Sequence, residues 1–391
     1  MRGKFCRALL GVAGMCLLSQ GAWAGEGGLA VLVVNGVQEV VQYNFAIHIL
    51  AMLLVGFGFL MVFVRKYGYG ATTGTYLVVA TGLPLYILLR STGIICSEAI
   101  PPSTIKALLY AEFAVASTLI AMGAVLGRLR VFQYALLALL LVPAYQVNEW
   151  LVLDGGLGVT RGFVDTAGSI IIHAFGAYFG IGLTLVLTTR QQRGKPVESD
   201  ATSDRFAMLG SMVLWLFWPS FCSAIVSLEE VPRTAVNTVL ALSGATLSTF
   251  LLSTLLRKGR TSIADMANAA LAGGVAIGAT CNVVAPVVAF GIGLLAGAVC
   301  VIGYVFVQPA LESRLKVVDT CCVHNLHGMP GLLGGLIAIL VVPGVARAQL
   351  FGITVTVAIA LGSGIVAGAL IMLTGTARIP YEDREEFAGV E

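Results

Sequence analysis

The sequence predicts an all-α polytopic membrane protein of eleven transmembrane helices, arranged as two inverted five-helix repeats plus a C-terminal helix. Three observations lead there. Apolar residues make up 58% of the chain against 11% charged, and glycine reaches 47, the profile of a helical protein dissolved in a lipid bilayer. Apolar stretches of about 20 residues, long enough to cross a hydrocarbon core, recur between charged or Pro/Gly-marked breaks. A short pattern also occurs twice, 154 positions apart: Val164-Asp165-Thr166 with His173, and Val318-Asp319-Thr320 with His327. The net charge of +3, without a basic run carrying interleaved aromatics, excludes nucleic-acid binding.

The first apolar stretch is read as a signal peptide over residues 1–24. Arg2, Lys4 and Arg7 precede an apolar run from Ala8 to Leu18, and Ala22-Trp23-Ala24 supplies a small-x-small cleavage pattern. An uncleaved first helix is the rival reading. A membrane domain over 25–376 follows, with spans expected near 40–64, 72–96, 104–127, 131–153, 165–189, 206–228, 234–256, 262–281, 284–308, 319–343 and 350–375. The weakest break lies at Thr280 to Pro286, where two spans meet with almost no polar loop. Starting from an outer N-terminus, fifteen basic residues between Arg65 and Arg384 fall on the inner side. Only Lys106, Arg161, Arg233 and Arg347 fall outside. That bias puts the C-terminus in the cytoplasm, and the bacterial-style signal peptide puts the chain in a bacterial inner membrane. The remaining residues, 377–391, are expected to form a short solvated tail.

The repeated pattern falls in the fifth and tenth spans. An odd offset gives the two halves opposite topology, the signature of an inverted repeat with its functional path at the midplane. Each His follows its Asp by eight residues, about 12 Å of helix at ~1.5 Å per residue, so both imidazoles approach the centre from opposite faces. Ionisable groups at that depth are costly, which makes the pair a functional-site candidate. Gly176 and Gly180 follow His173, while Gly328, Gly331, Gly334 and Gly335 follow His327, and small residues so spaced permit close helix approach.

Several segments carry a resemblance. Asp165-Thr-Ala-Gly-Ser-Ile-Ile-Ile-His173-Ala-Phe-Gly-Ala-Tyr-Phe-Gly180, Leu214-Trp215-Leu216-Phe217-Trp218-Pro219-Ser220-Phe221-Cys222-Ser223-Ala224, Leu271-Ala-Gly-Gly-Val275, Leu311-Glu-Ser-Arg-Leu315 and Asp319-Thr-Cys-Cys-Val-His-Asn-Leu-His-Gly-Met-Pro-Gly331 resemble the Rhesus-glycoprotein (Rh) branch of the ammonium transporter family, in its bacterial form. The resemblance implies a homotrimer with one pore per subunit, conducting ammonia or ammonium, and no cofactor or enzymatic activity. Its pore histidines correspond to His173 and His327. Its two stacked phenylalanines closing the outer mouth correspond to Phe113 and Phe221. The Trp and Ser with which the Amt branch recruits ammonium have no evident match, and Trp150 stands in a different context. A CO2 channel, or a mixed one, is the alternative; a membrane metalloenzyme or metal sensor using the histidines is a remote one.

The other ionisable residues divide by position. Asp165 and Asp319 stand at helix starts, where a carboxylate accepts from free backbone N–H groups; the resemblance adds a part in conduction for Asp165. His324 lies one turn before His327 on the same face, and spacing alone allows either to line a pore. The repeat offset selects His327 and leaves His324 a supporting role, hydrogen-bonded to a neighbour. Glu112, beside Phe113, and Glu149 are candidates for lining vestibules or bonding between helices. Arg90, well inside a span, needs an acidic partner such as Glu112 or an outward path. His48 is structural or vestibular, and the cysteines imply no disulfide framework.

Overall fold

A computed structural model of the chain describes residues 26–390 apart from Ser97, Gly194, Pro196, Thr376 and Arg378; the predicted signal peptide lies outside the described residues. Two units make up the chain. The described part of the first, residues 26–41, is helical, and the second is Gln42–Glu391. Among the described residues, ten helices are long and apolar enough to cross a membrane: α1 (Asn35–Phe63), α2 (Gly68–Thr92), α3 (Ile105–Ala124), α4 (Gln133–Val152), α5 (Ser169–Leu187), α6 (Ala201–Ser223), α7 (Val231–Leu256), α9 (Pro286–Leu315), α10 (His324–Val341) and α11 (Ala346–Met372). Between α7 and α9 lies a shorter apolar helix, α8 (Ile263–Ile277). The described residues contain no strand.

The eighth predicted span, 262–281, is therefore too long. Helix α8 turns at Ala270 and Leu271 and ends at Ile277, about 22 Å of helix at ~1.5 Å per residue, short of a hydrocarbon core of about 30 Å. Residues 278–285 are irregular and largely buried, which lipid-exposed backbone would not tolerate. Several of their backbone groups find partners inside the protein. Asn237 Nδ2 donates to the carbonyls of Cys281 and Val284 at 2.8 and 2.9 Å, and Ala279 N donates to Ser169 Oγ at 2.7 Å.

Packing is closest where glycine replaces side chain. Helix α7 lies along α9, and a Cβ on Gly293 would stand 1.9 Å from the Ala241 carbonyl oxygen, so only a bare backbone fits. Such contacts replace the hydrophobic drive that lipid cannot supply between helices. Single π-helical turns interrupt α1 (Met52–Phe57) and α9 (Gly303–Val307) and open α5 (Ser169–Ala174) and α10 (His324–Gly328). Turns of this kind tend to mark functional sites. Two of the four contain the repeated histidines.

The tail is not a solvated strand of chain. Asp383 is buried, and its carboxylate accepts from Tyr69 N and Gly70 N at 2.8 and 2.7 Å, occupying free donors at the start of α2. Tyr381 N donates to Gly127 O at 2.8 Å, and the Glu386 carboxylate accepts from Val131 N at 2.9 Å. The segment thus ties the α1–α2 connection to the α3–α4 connection. Burial pushes the Asp383 carboxyl up from its ordinary range, opposed by its backbone donors.

Asp383→Ala should remove about 1 kcal/mol of capping and release the segment after α11. Limited proteolysis is expected to clip the variant tail well before the helices; cleavage at the wild-type rate would show that Asp383 does not anchor it.

Candidate functional site

The two Val-Asp-Thr segments lead into the two histidine-bearing helices by the same local chemistry. Asp165 Oδ2 accepts from Ile170 N and Ile171 N at 2.9 and 2.8 Å, while the Asp319 carboxylate accepts from Val323 N and His324 N at 3.0 and 3.1 Å. Each carboxylate meets the positive end of its helix. Each segment is also fastened to backbone of the opposite half. Ala167 N donates to Gly278 O at 2.7 Å; on the other side, Thr320 N and Cys321 N donate to the carbonyls of Ala124 and Gly123 at 3.2 and 3.1 Å. Positions 124 and 278 differ by the 154 residues that separate the histidines, so the repeat holds for the fastenings as well as the motif.

These starts bring the two imidazoles together. His173 Nδ1 and His327 Nδ1 lie 3.2 Å apart, with ring planes 9° from parallel and centroids 5.3 Å apart. Both rings are buried. Two facing nitrogens form a hydrogen bond only if one carries the proton and the other is bare, so two neutral rings adopt opposite tautomers. The approach depends on Gly331, whose Cβ would stand 2.5 Å from the Ser169 carbonyl oxygen.

Aromatic rings bracket the pair. Trp218 stacks on His173 at 5.6 Å between centroids, and Phe57, from the π-turn of α1, faces His327 at 6.3 Å. Phe113 and Phe221 meet at 4.9 Å with planes at 60°, edge to face rather than in parallel, and Phe221 lies 6.0 Å from His173. His173 Nε2 is buried without a hydrogen-bond partner, an open position for a small polar molecule. Below His327, Phe57, Ile120, Gly123 and Cys321 enclose about 20 Å³, room for one water-sized molecule. A second cavity of about 100 Å³ shares Leu60, Phe63, Asn268 and Cys321 with the first and reaches Ser199 and Asp204. The row Phe221, His173, His327, Cys321 therefore runs along one buried, mostly apolar axis.

Other predicted residues stand apart from that axis or act differently. The His324 ring meets Tyr178 edge-on at 5.7 Å, and its buried Nδ1 has no hydrogen-bond partner, in contrast to the expected bond to a neighbour. Glu112 is fully buried with neither carboxylate oxygen bonded. Arg90 pairs with Asp154 at 3.1 Å and Glu149 at 3.8 Å, not with Glu112. Glu149 also accepts from Tyr86 Oη at 2.6 Å, which makes it an interhelical partner. His48 Nδ1 lies 2.8 Å from Ser220 Oγ, and its ring stacks on Phe217. No group of three or more His, Cys, Asp or Glu with metal-binding geometry occurs among the described residues, and the described cysteines are free. Trp218, Phe57 and Ser169, whose Oγ bridges Val275 O and Ala279 N, were not singled out by spacing; Trp218 and Ser169 lay inside recognised motifs, whereas Phe57 carries no sequence signal.

This fold and axis define a multi-pass α-helical membrane protein whose inverted halves meet at a buried histidine pair. The profile of the Ammonium Transporter Family matches residues 12–390. The chain belongs to that family. It is 40% identical to "Ammonium transporter Rh type B" of Oryctolagus cuniculus over 83% of this chain and 76% of the relative. It is 42% identical to the Homo sapiens protein of the same name over 77% of this chain, the chain spanning 66% of that relative's length. Among solved structures it superposes on "Nitrosomonas europaea Rh50 and mechanism of conduction by Rhesus protein family of channels" with a TM-score of 0.91 and 68% identity, covering 92% and 94% of the two chains. It shares its fold with "Sensor Amt Protein" at a TM-score of 0.78, 20% identity and coverage of 90% and 97%.

Nitrogen NMR of histidine-labelled protein is expected to show one of the paired rings protonated at Nδ1 and the other bare there. In His327→Ala that pairing should vanish from the His173 signal. Two rings of identical tautomer would exclude the Nδ1 contact.

Proposed function

We propose that the chain is a channel-type transporter that conducts ammonia along the axis from Phe113 and Phe221, past His173 and His327, to the cavities beside Cys321. The observation that carries this reading is the 3.2 Å contact between two buried imidazole nitrogens in an otherwise apolar passage. Carrying a bare ammonium ion into such a passage costs several kcal/mol even after relaxation, whereas neutral ammonia needs only its hydrogen bonds replaced. The imidazole edges replace them. Each neutral ring offers one N–H and one bare nitrogen, so together they present donors and acceptors to a molecule that is both.

In this reading the Phe113–Phe221 contact is a gate that side-chain motion opens, Trp218 shapes the passage over His173, and Asp165 and Asp319 hold the helix starts that aim the rings. Glu112 and His324 are supporting residues beside the path. No residue set for tight cation capture stands at the gate, which favours low-affinity, equilibrative flow. The protein is not an enzyme. We place it as a homotrimer in a bacterial inner membrane, N-terminus outside after removal of residues 1–24, membrane domain over 25–376, and tail 377–391 in the cytoplasm. The relatives named as ammonium transporters and Rhesus channels, and the row of ten long apolar helices among the described residues, support the multi-pass membrane placement and the ammonia permeant. The same apolar walls would admit CO2, which makes that gas the competing permeant.

Stopped-flow pH measurement in proteoliposomes separates the two. Wild-type protein should speed ammonia-driven alkalinisation, and His173→Ala or His327→Ala should change that rate by about five- to tenfold, equivalent to about 1 kcal/mol of hydrogen bonding, with no matching effect under a CO2 gradient. Equal ammonia rates in empty and protein-containing vesicles would remove ammonia as the permeant. A CO2 acceleration indifferent to both histidines would install CO2 in its place.

A further inference from the structure

Arg128 lies at the inner end of the path, just beyond the C-terminus of α3, and is 1% exposed. Its guanidinium donates to Ala124 O at 2.7 Å, Val318 O at 2.6 Å and Thr188 Oγ1 at 3.0 Å, and its Nε is buried without a partner. All three acceptors are neutral. Among the described residues no carboxylate pairs with it, and Asp319, next in sequence to Val318, turns its oxygens to Val323 N and His324 N. A buried arginine ordinarily takes a carboxylate partner, because an uncompensated buried charge is expensive. Here the charge is held directly by carbonyl and hydroxyl dipoles, and the carboxylates of Asp319 and Glu312 act on it only at longer range, without an ion pair.

Its place relative to the passage follows from shared backbone. Ala124 O also accepts from Thr320 N, and the neighbouring Gly123 O accepts from Cys321 N. Gly123 and Cys321 line the small cavity under His327, and Cys321 also lines the next one inward. The guanidinium thus stands directly behind the inner wall of the path. The corresponding position in the other half, 154 residues on, is Asn282, a neutral side chain. Asn282 accepts from Thr166 Oγ1 at 2.8 Å and donates to Glu230 Oε1 at 2.7 Å, and Glu230 is outside the spans, with its carboxyl held below the ordinary range by Asn282 and Ser227. At matched places the repeat carries an anion towards one mouth and a cation towards the other.

We propose that Arg128 is a specificity-determining residue, a fixed positive charge behind the inner cavities that repels cations while leaving neutral ammonia unaffected. The inference rests on the conduction path proposed above. Fixed positive charge beside a narrow pore excludes cations by field rather than by contact. A carboxylate in direct contact with the guanidinium would cancel most of that field.

The test uses full-length protein in vesicles, with ammonia flux read by stopped flow and K+ current read electrically on the same preparation. Arg128→Met removes the charge at similar length. Arg128→Lys keeps the charge and loses the fork of donors. Thr188→Glu leaves Arg128 in place and sets a carboxylate where the hydroxyl now accepts, so it decides the matter should Arg128→Met fail to fold. Arg128→Met and Thr188→Glu are expected to raise K+ current on the order of tenfold, the effect of a unit charge acting across roughly 10 Å at an effective dielectric of about 20, while Arg128→Lys stays as tight as wild type. Absence of a leak in both neutralised variants, or a leak in Arg128→Lys equal to that of Arg128→Met, would overturn the assignment. Wild-type vesicles that fail to accelerate ammonia would instead count against the conduction path itself, a separate result.

Discussion

Everything along the axis depends on one constraint: backbone that leaves helical geometry inside a membrane must find its hydrogen bonds within the protein. The two Val-Asp-Thr segments are such backbone. Each is fastened by its Asp to the helix it opens and by its peptide groups to backbone of the opposite half, Gly278 for one and Gly123 with Ala124 for the other. Because both fastenings are met, each helix can begin part-way into the protein and carry its histidine inward. A long uninterrupted helix would have no reason to stop there.

Much of the architecture was legible beforehand because lipid makes a demand that sequence records directly, the length of an apolar span. Ten of the eleven expected helices fall near their expected places. The eighth differs because composition cannot distinguish a lipid-facing helix from an apolar stretch surrounded by protein. Residues 278–285 are apolar enough to extend the span, yet Asn237 and Ser169 hold them in an irregular path. The tail differs for the opposite reason. Its acidic residues read as solvated charge, but Asp383 and Glu386 are used to satisfy backbone donors of the connections at that face.

At the site, the meeting of His173 and His327 was legible because a repeated motif gives a distance in sequence and an inverted repeat turns it into a depth. The surrounding rings were not. Phe57 reaches His327 through a π-turn that shifts the helical register, and no period in the sequence announces such a turn. Arg90 shows the same limit for electrostatics: a buried charge demands a partner, but which carboxylate supplies it depends on how α2 meets α4, and the partners are Asp154 and Glu149. Glu112 keeps its carboxyl group away from both.

The bond between the two Nδ1 atoms has a consequence for symmetry. The fold is built from two halves of one plan, but a single hydrogen cannot be shared equally by two fixed nitrogens 3.2 Å apart in a neutral pair. At every instant one half is the giver and the other the taker. The protein therefore exists in two registers of equal architecture and opposite polarity, and exchanging them requires a hydrogen to leave one ring's outer nitrogen and another to arrive on its partner's. The two registers are a memory of one bit, written in the tautomers rather than in the backbone.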